Sequence, residues 1–164
     1  MSKLTLKTEG DTHVIITRRF DAPPEAVYRA HTDPRIVQQW MLGPEGWTMP
    51  ACNSDLRPGG KFRYEWKHPN KGGFYLTGEF VELKPYSKIV HVERMYLPDP
   101  TPDNRIETTF EPDGTGTVMT MRMTLPDEKT RAVMLATGME KGMEDSYVRL
   151  EKMIADLIPL PASH

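Results

Sequence analysis

Alternating apolar and polar residues predict that much of this chain forms a sheet. Through residues 47–125, short segments with this alternation are separated by turn-forming residues, such as those at 58–60 and 113–114. A period of two is typical of a strand with one buried face. Because the connections are too short to hold crossover helices, we expect an antiparallel meander. Similar alternation within residues 1–20 predicts one or two further strands at the N-terminus.

Helical signals lie on both sides of the meander. Prolines that suit the first turn of a helix predict two short helices within residues 23–41. In the last third of the chain, apolar residues recur every three or four positions and predict one long helix over residues 127–158. The elements indicate an α+β fold, and the length of 164 residues suits a single domain spanning residues 1–164.

Small and flexible side chains mark one side of the long helix. Gly138, Gly142 and Ser146 recur every four residues and predict a smooth stripe, beside which Met139 and Met143 lie on an apolar face. Methionine is flexible and fits irregular shapes, so this surface favours an adaptable cavity between helix and sheet. Two other interpretations stay open: the methionines could fill a core, and the glycines could let another segment pack closely.

Charge and cysteine content narrow the class of protein. The chain has 21 basic and 23 acidic side chains, mixed along its length, for a net charge of −2. This balance argues against nucleic acid or an anionic membrane as a partner. The lone Cys52 forms no internal disulfide, and no signal peptide is recognisable, so we expect a cytoplasmic protein. Scattered histidines predict no metal site, and no residue pattern requires a cofactor.

Several short motifs occur in a fixed order along nearly the whole chain. They are RFDAP at 19–23, TDP at 32–34, Trp40 with Gly-Pro at 43–44, DLRPGG at 55–60, Gly78 before ELKP at 82–85, GME at 138–140 and YVRL at 147–150. In this order they resemble the START-like (SRPBCC) superfamily, in particular the homologues of the activator of heat-shock protein 90 ATPase. The resemblance implies a helix-grip fold, in which a curved antiparallel sheet of about six to seven strands surrounds the C-terminal helix. It also implies two short helices after the first strand and a cavity between sheet and long helix.

Strand 89–95 carries the sharpest candidate for chemistry. Apolar residues occur on both of its faces, so the pattern alone does not say which one is inward. The resemblance implies that His91 and Glu93 face the cavity. There they could hydrogen-bond the polar head of a ligand or act as an acid and a base. A solvated pair on the outer face, or a satisfied internal pair, remains the alternative.

The other candidate ligand contacts are aromatic or sulfur-containing. Trp40 and Trp47 flank the Gly-Pro turn at 43–44, so we expect them at the cavity mouth, and alternation places a set of aromatic residues on the inward face of the sheet. The predicted ligand-binding residues are Trp40, Trp47, Phe62, Tyr64, Trp66, Phe74, His91, Glu93, Met95, Met119, Met121, Met123, Met139, Met143 and Tyr147.

Three functions are compatible with these features. The favoured one is binding of an apolar or amphipathic small molecule between sheet and helix, without catalysis. The first alternative is a protein-interaction domain that modulates a chaperone ATPase, although nothing in the charge pattern marks a surface for a chaperone partner. The second is a cyclase- or hydrolase-like enzyme that uses His91 and Glu93. A homodimer is left open.

Overall fold

Eight strands and four helices make up the described part of the chain. The computed structural model describes residues 3–157, apart from the side chains of residues 155 and 157. The strands are β1 (Thr5–Glu9), β2 (His13–Phe20), β3 (Thr48–Ser54), β4 (Lys61–His68), β5 (Gly72–Lys84), β6 (Lys88–Tyr96), β7 (Asn104–Asp113) and β8 (Gly116–Thr124). The helices are α1 (Pro24–Thr32), α2 (Pro34–Trp40), α3 (Glu128–Leu135) and α4 (Met139–Leu157). None of the helices described has the length and apolar character needed to cross a membrane.

All the strands join one antiparallel sheet, in the order β1-β2-β8-β7-β6-β5-β4-β3. The first hairpin therefore lies beside the last strand of the meander, and α4 follows from that side. The predicted α+β helix-grip fold is confirmed. The described sheet has more strands than the expected six to seven, because the N-terminal segment forms a complete hairpin of β1 and β2. The two short helices consequently follow the second strand and not the first.

Prolines and a carboxylate start the two short helices. Pro24 and Pro34 occupy the first turns of α1 and α2, where a missing backbone N–H costs no helical hydrogen bond. The Asp33 carboxylate accepts a hydrogen bond from the Arg35 backbone N–H at 3.0 Å and caps α2. Both helices then pack on the sheet, α1 against β7 and β8, and α2 against β3.

The C-terminal helical segment is divided in two, which corrects the single helix predicted over residues 127–158. α3 ends at Leu135, and α4 begins at Met139. Between them Gly138 has a φ of +82°, in the left-handed region that glycine adopts without strain and that ends many helices. Residue 158 lies outside the described residues.

A buried charge cluster fixes α4 against β2. Arg18 lies between Ile16 and Phe20 on the inward face of β2 and is 1% exposed. Its Nε donates to Glu144 Oε1 at 3.0 Å, and its Nη1 donates to Glu151 Oε1 at 2.6 Å. Both carboxylates project from α4. The position of the helix on the sheet is therefore set by charge-assisted hydrogen bonds as well as by apolar packing.

Candidate functional site

The inward face of the sheet is sealed in one part and partly open in another. On β2, β7 and β8, the inward side chains of Ile16, Phe110 and Met119 are at most 1% exposed. Around β4–β6, by contrast, many inward side chains are only half-buried, although most of them are apolar or aromatic. These are Tyr64, Trp66, Phe74, His91, Glu93 and Met95, together with Met121 on β8. These side chains therefore face inward without being fully sealed by the described residues around them.

His91 and Glu93 both point inward from β6 and contact each other. Nε2 of His91 lies 2.8 Å from Oε1 of Glu93, and the side chains are 16% and 19% exposed. The His91 ring stands edge-on to the ring of Phe62, with centroids 5.3 Å apart, which places the pair on the inner face. Because a carboxylate only accepts, Nε2 carries the hydrogen of this bond. Nδ1 of His91 is buried and has no partner among the described residues.

Uncharged polar side chains stand beside this pair. Asn104 on β7 is the cross-strand neighbour of Glu93, and its buried Oδ1 accepts no hydrogen bond from the described residues. Burial raises the pKa of the Tyr64 phenol, and the nearby Glu93 adds to the effect. The Tyr64 hydroxyl also lacks a hydrogen-bond partner within residues 3–157. We call His91, Glu93, Asn104 and Tyr64 the polar wall.

The groups next to the polar wall are poor nucleophiles. Cys52 and Ser54 lie on β3, opposite Tyr64 and Phe62 respectively. Burial, with the charge of a nearby aspartate, raises the pKa of the Cys52 thiol to about 11, so the thiol is protonated at neutral pH. The Ser54 hydroxyl has no base within hydrogen-bond distance among the described residues. Nor do the described residues include three histidine, cysteine or acidic side chains grouped to hold a metal ion.

An aromatic cluster lies at the end of this surface next to the loop between α2 and β3. The Trp66 indole N–H donates to the Met41 carbonyl at 2.8 Å. The Trp66 ring stacks on Phe74 with centroids 4.9 Å apart, and Trp47 meets Phe74 edge-on at 5.2 Å. Trp47 is half-buried and lies on that loop, at the rim of the partly open surface.

Trp40 lies in the core, which corrects its predicted place at the cavity mouth. It is 1% exposed, its indole N–H donates to a backbone carbonyl of α1 at 2.9 Å, and its ring stacks on Tyr147 with centroids 5.9 Å apart. Tyr147 is itself 3% exposed. Phe62, Met119 and Met123 are also buried, so these predicted ligand contacts contribute to packing under the sheet.

The methionines of the predicted site fall into two groups. Met95 and Met121 on the sheet and Met139 and Met143 on α4 are half-buried and lie against the edge of the apolar core. Together with the aromatic cluster they form the apolar part of the candidate site. Met119 and Met123 are buried, so the core interpretation applies to these two methionines.

The small residues of α4 face a loop and not the open surface. The Ser146 hydroxyl accepts a hydrogen bond from the Gly43 backbone N–H at 2.8 Å. A side chain added at Gly142 would meet Pro44 at 3.5 Å. Gly138 lies outside both helices, so no continuous stripe exists. Close packing of the loop, the second interpretation of these glycines, accounts for Gly142.

His31 is a further polar group inside the protein that was absent from the predicted site. Its Nδ1 donates to the Val27 carbonyl at 2.8 Å, and its buried Nε2 has no partner among the described residues. The ring contacts Trp40 and Phe110, with centroids 4.9 and 5.2 Å away. Burial lowers the pKa of His31 to about 4, so the ring is neutral near pH 7. The signal in the sequence is its place four residues after Val27, on the apolar face of α1.

Asn104 also escaped prediction, although part of the signal is local. It shares the inward phase of β7 with Ile106 and Thr108, which are buried. That phase places Asn104 on the inner face. Its position beside Glu93 depends on the register between β6 and β7, which the sequence pattern does not give.

A recess of about 870 Å³ is lined mainly by outward residues of β3–β6, and its lining also includes Phe62, Gly78 and Glu93. Its walls include Arg63, Thr77 and Arg94, which are cross-strand neighbours in the outward phase of β4, β5 and β6. The charges there are paired: Arg63 bonds Glu65 at 2.8 Å, and Arg94 bonds Asp103 at 2.7 Å. Such exposed and mutually compensated charges are typical of a solvated surface.

Comparisons with known proteins identify a family by its sequence model and the same fold among solved structures. The model of the family described as "Activator of Hsp90 ATPase homolog 1-like protein" matches residues 21–155. No curated protein matches the chain significantly. Among solved structures, a protein from Rhodobacter sphaeroides is similar, with a TM-score of 0.87 and 25% identity over 94% of this chain and 99% of that one. Protein Ms6760 from Mycobacterium smegmatis has a TM-score of 0.82 and 21% identity over 92% and 96% of the two chains. A protein from Staphylococcus epidermidis has a TM-score of 0.79 and 23% identity, covering 93% and 94%.

Proposed function

The chain belongs to the family of activator of Hsp90 ATPase homolog 1-like proteins, and we propose that it binds an apolar or amphipathic small molecule between the sheet and α4. The observation that carries the proposal is the partly open inward face of β4–β6. Apolar side chains that face inward in a folded chain are normally sealed by close packing. Here Met95, Trp66 and Phe74 keep contact with solvent, and a ligand would bury them.

The chemistry of this surface fits a ligand with two unlike ends. The apolar part consists of flexible methionines on β6, β8 and α4, which adapt to ligands of different shape, and of an aromatic cluster at the rim. The polar wall lies on the same face and contains buried atoms without hydrogen-bond partners among the described residues. A buried polar atom without a hydrogen-bond partner costs free energy. A ligand that forms this hydrogen bond would remove the cost and would be held in one orientation.

The test is thermal unfolding of the purified protein with a broad panel of apolar and amphipathic compounds. A ligand at a hundred times its dissociation constant stabilises the folded state by about 2.7 kcal/mol, which raises the Tm of a protein of this size by about 5–11 °C. We expect a selective and saturable rise for one chemical class.

A matched pair of variants locates the binding site. Met95→Trp adds a large ring to the inward space, whereas Arg94→Trp adds the same ring to the outer face of the same strand. Binding should be lost in the first variant and kept in the second. A panel with no active compound, or binding that survives Met95→Trp unchanged, would contradict the proposal and would direct the search to a protein partner.

A further inference from the structure

We propose that the polar wall selects ligands whose head is a protonated amine. This inference rests on the proposed function, because it concerns the polar end of the same ligand. It follows from the kinds of hydrogen-bonding atoms in the wall, from the balance of charge on the inner face, and from the rings beside Glu93.

Acceptors dominate the polar wall. The hydrogen on His91 Nε2 is used by Glu93 Oε1 at 2.8 Å, and the other ring nitrogen, Nδ1, is an acceptor in this tautomer. Glu93 Oε2 accepts no hydrogen bond from the described residues, and Glu93 is partly exposed, so this oxygen is within reach of a ligand. Asn104 adds a third acceptor, Oδ1, directly across from Glu93. An ammonium head has three donors and no acceptor, which complements such a set.

The inward residues of the described strands carry few charges. Among the inward residues of the described strands, Arg18 is the only lysine or arginine. It is already bonded to Glu144 and Glu151. The neighbours of Glu93 across both adjacent strands are Gly78 and Asn104, which carry no charge. The described strands therefore place no lysine or arginine next to Glu93, and a cationic ligand would add a charge there beside the His91 contact.

The rings next to Glu93 also favour a cation. The absence of a side chain at Gly78 lets the ring of Phe62 lie against β5, beside Glu93 in the adjoining strand. Tyr64 lies on the same face and is close enough for Glu93 to affect its pKa. Aromatic faces attract ammonium groups, and a half-buried setting strengthens the attraction. A ligand carboxylate would instead meet Glu93 as a like charge, and we expect it to be rejected.

Three probes with one apolar chain and different heads test the inference: n-octylamine, 1-octanol and octanoate. Their dissociation constants are measured by isothermal titration calorimetry at neutral pH and moderate salt. We expect the amine to bind at least about tenfold tighter than the alcohol, because one charge-assisted hydrogen bond gives an effect of this size. Octanoate should bind more weakly than either.

Charge-removing variants assign the preference to Glu93. Glu93→Gln should abolish the tenfold difference between amine and alcohol while 1-octanol still binds, and Glu93→Asp should keep part of it. Glu79→Gln removes the same charge from the outer face of the neighbouring strand and should change nothing. If Glu93→Gln does not fold, the comparison of the three probes on the unaltered protein still decides.

The outcomes separate this inference from the proposed function. Equal affinities for amine and alcohol, or tightest binding of octanoate, would overturn the selection for amines and leave small-molecule binding intact. A preference for the amine that is unchanged in Glu93→Gln would also overturn it. If none of the probes binds and the broad panel is also flat, both proposals fail.

Discussion

Acid should destabilise this protein in part through one side chain, His31. The ring is held inside the protein between Trp40 and Phe110, and its Nδ1–H is committed to the Val27 carbonyl. Protonation would place a charge on Nε2, which has no partner among the described residues. The folded state therefore resists protonation of His31, whereas the unfolded chain does not.

The magnitude follows from the two pKa values. Burial lowers the pKa of His31 from 6.5 to about 4 in the folded protein. Because the folded pKa is the lower one, the contribution to stability is complete above pH 6.5 and is lost as the pH falls toward 4. At about 1.4 kcal/mol for each tenfold difference in proton affinity, the full effect is about 3 kcal/mol. About 2 kcal/mol of it should already be lost at pH 5.

Urea unfolding at pH 8 and pH 5 measures this loss. His31→Asn keeps a donor for the same carbonyl and removes the titrating ring, so its loss between the two pH values should be about 2 kcal/mol smaller than that of the unaltered protein. Val14→Ala, a buried substitution on β2, is the control for destabilisation alone and should keep the full loss. Carboxylates titrate in the same way in all three proteins, so their contribution to the loss of stability cancels in the comparison. An equal loss in His31→Asn and the unaltered protein would refute the reasoning.

Further predictions concern the helices and the thiol. Gly142→Ala should raise the free energy of unfolding by about 0.5–1 kcal/mol, since the added Cβ meets its neighbour at 3.5 Å, an ordinary contact distance. Gly138→Ala, at a φ of +82°, should lower it by about 1 kcal/mol, and urea midpoints that move in the same direction for both would contradict this. Arg18→Met should lower the free energy of unfolding by about 3–5 kcal/mol, because Glu144 and Glu151 lose their cation. Adding Glu144→Gln removes one of the two unpaired charges and should restore part of this stability. A double variant no more stable than Arg18→Met alone would contradict this prediction. Cys52, with its pKa raised to about 11, should react with iodoacetamide at pH 8 at least about tenfold more slowly in the folded than in the urea-unfolded protein, and equal rates would contradict this.

The sheet could be predicted because its signals are local. Alternation in a segment such as Phe62, Tyr64 and Trp66 defines one inward phase, and the short turns restrict the strands to antiparallel neighbours. The break between α3 and α4 could not be found in the same way. Gly138 stands between good helix formers, and a glycine there is compatible both with a helical position and with a left-handed one.

The candidate site was only partly predictable because it depends on contacts between distant segments. Trp40 and Trp47 flank the same turn, yet one is sealed against α4 and the other stays at the rim. Arg18 interrupts an apolar phase of β2, which signals an inward charge, but its partners lie more than a hundred residues away in α4. Asn104 is likewise placed next to Glu93 by the register between β6 and β7, which the sequence pattern does not give.

NMR of the methionine methyl groups would show directly whether a small molecule binds between the sheet and α4. With ¹³C-labelled methionine methyls, a compound that stabilises the protein is titrated in. We expect shifts and ligand contacts at Met95, Met121, Met139 and Met143, while the methyl of the buried Met119 changes little. A stabilising compound that leaves all four of those methyls unmoved would contradict the account.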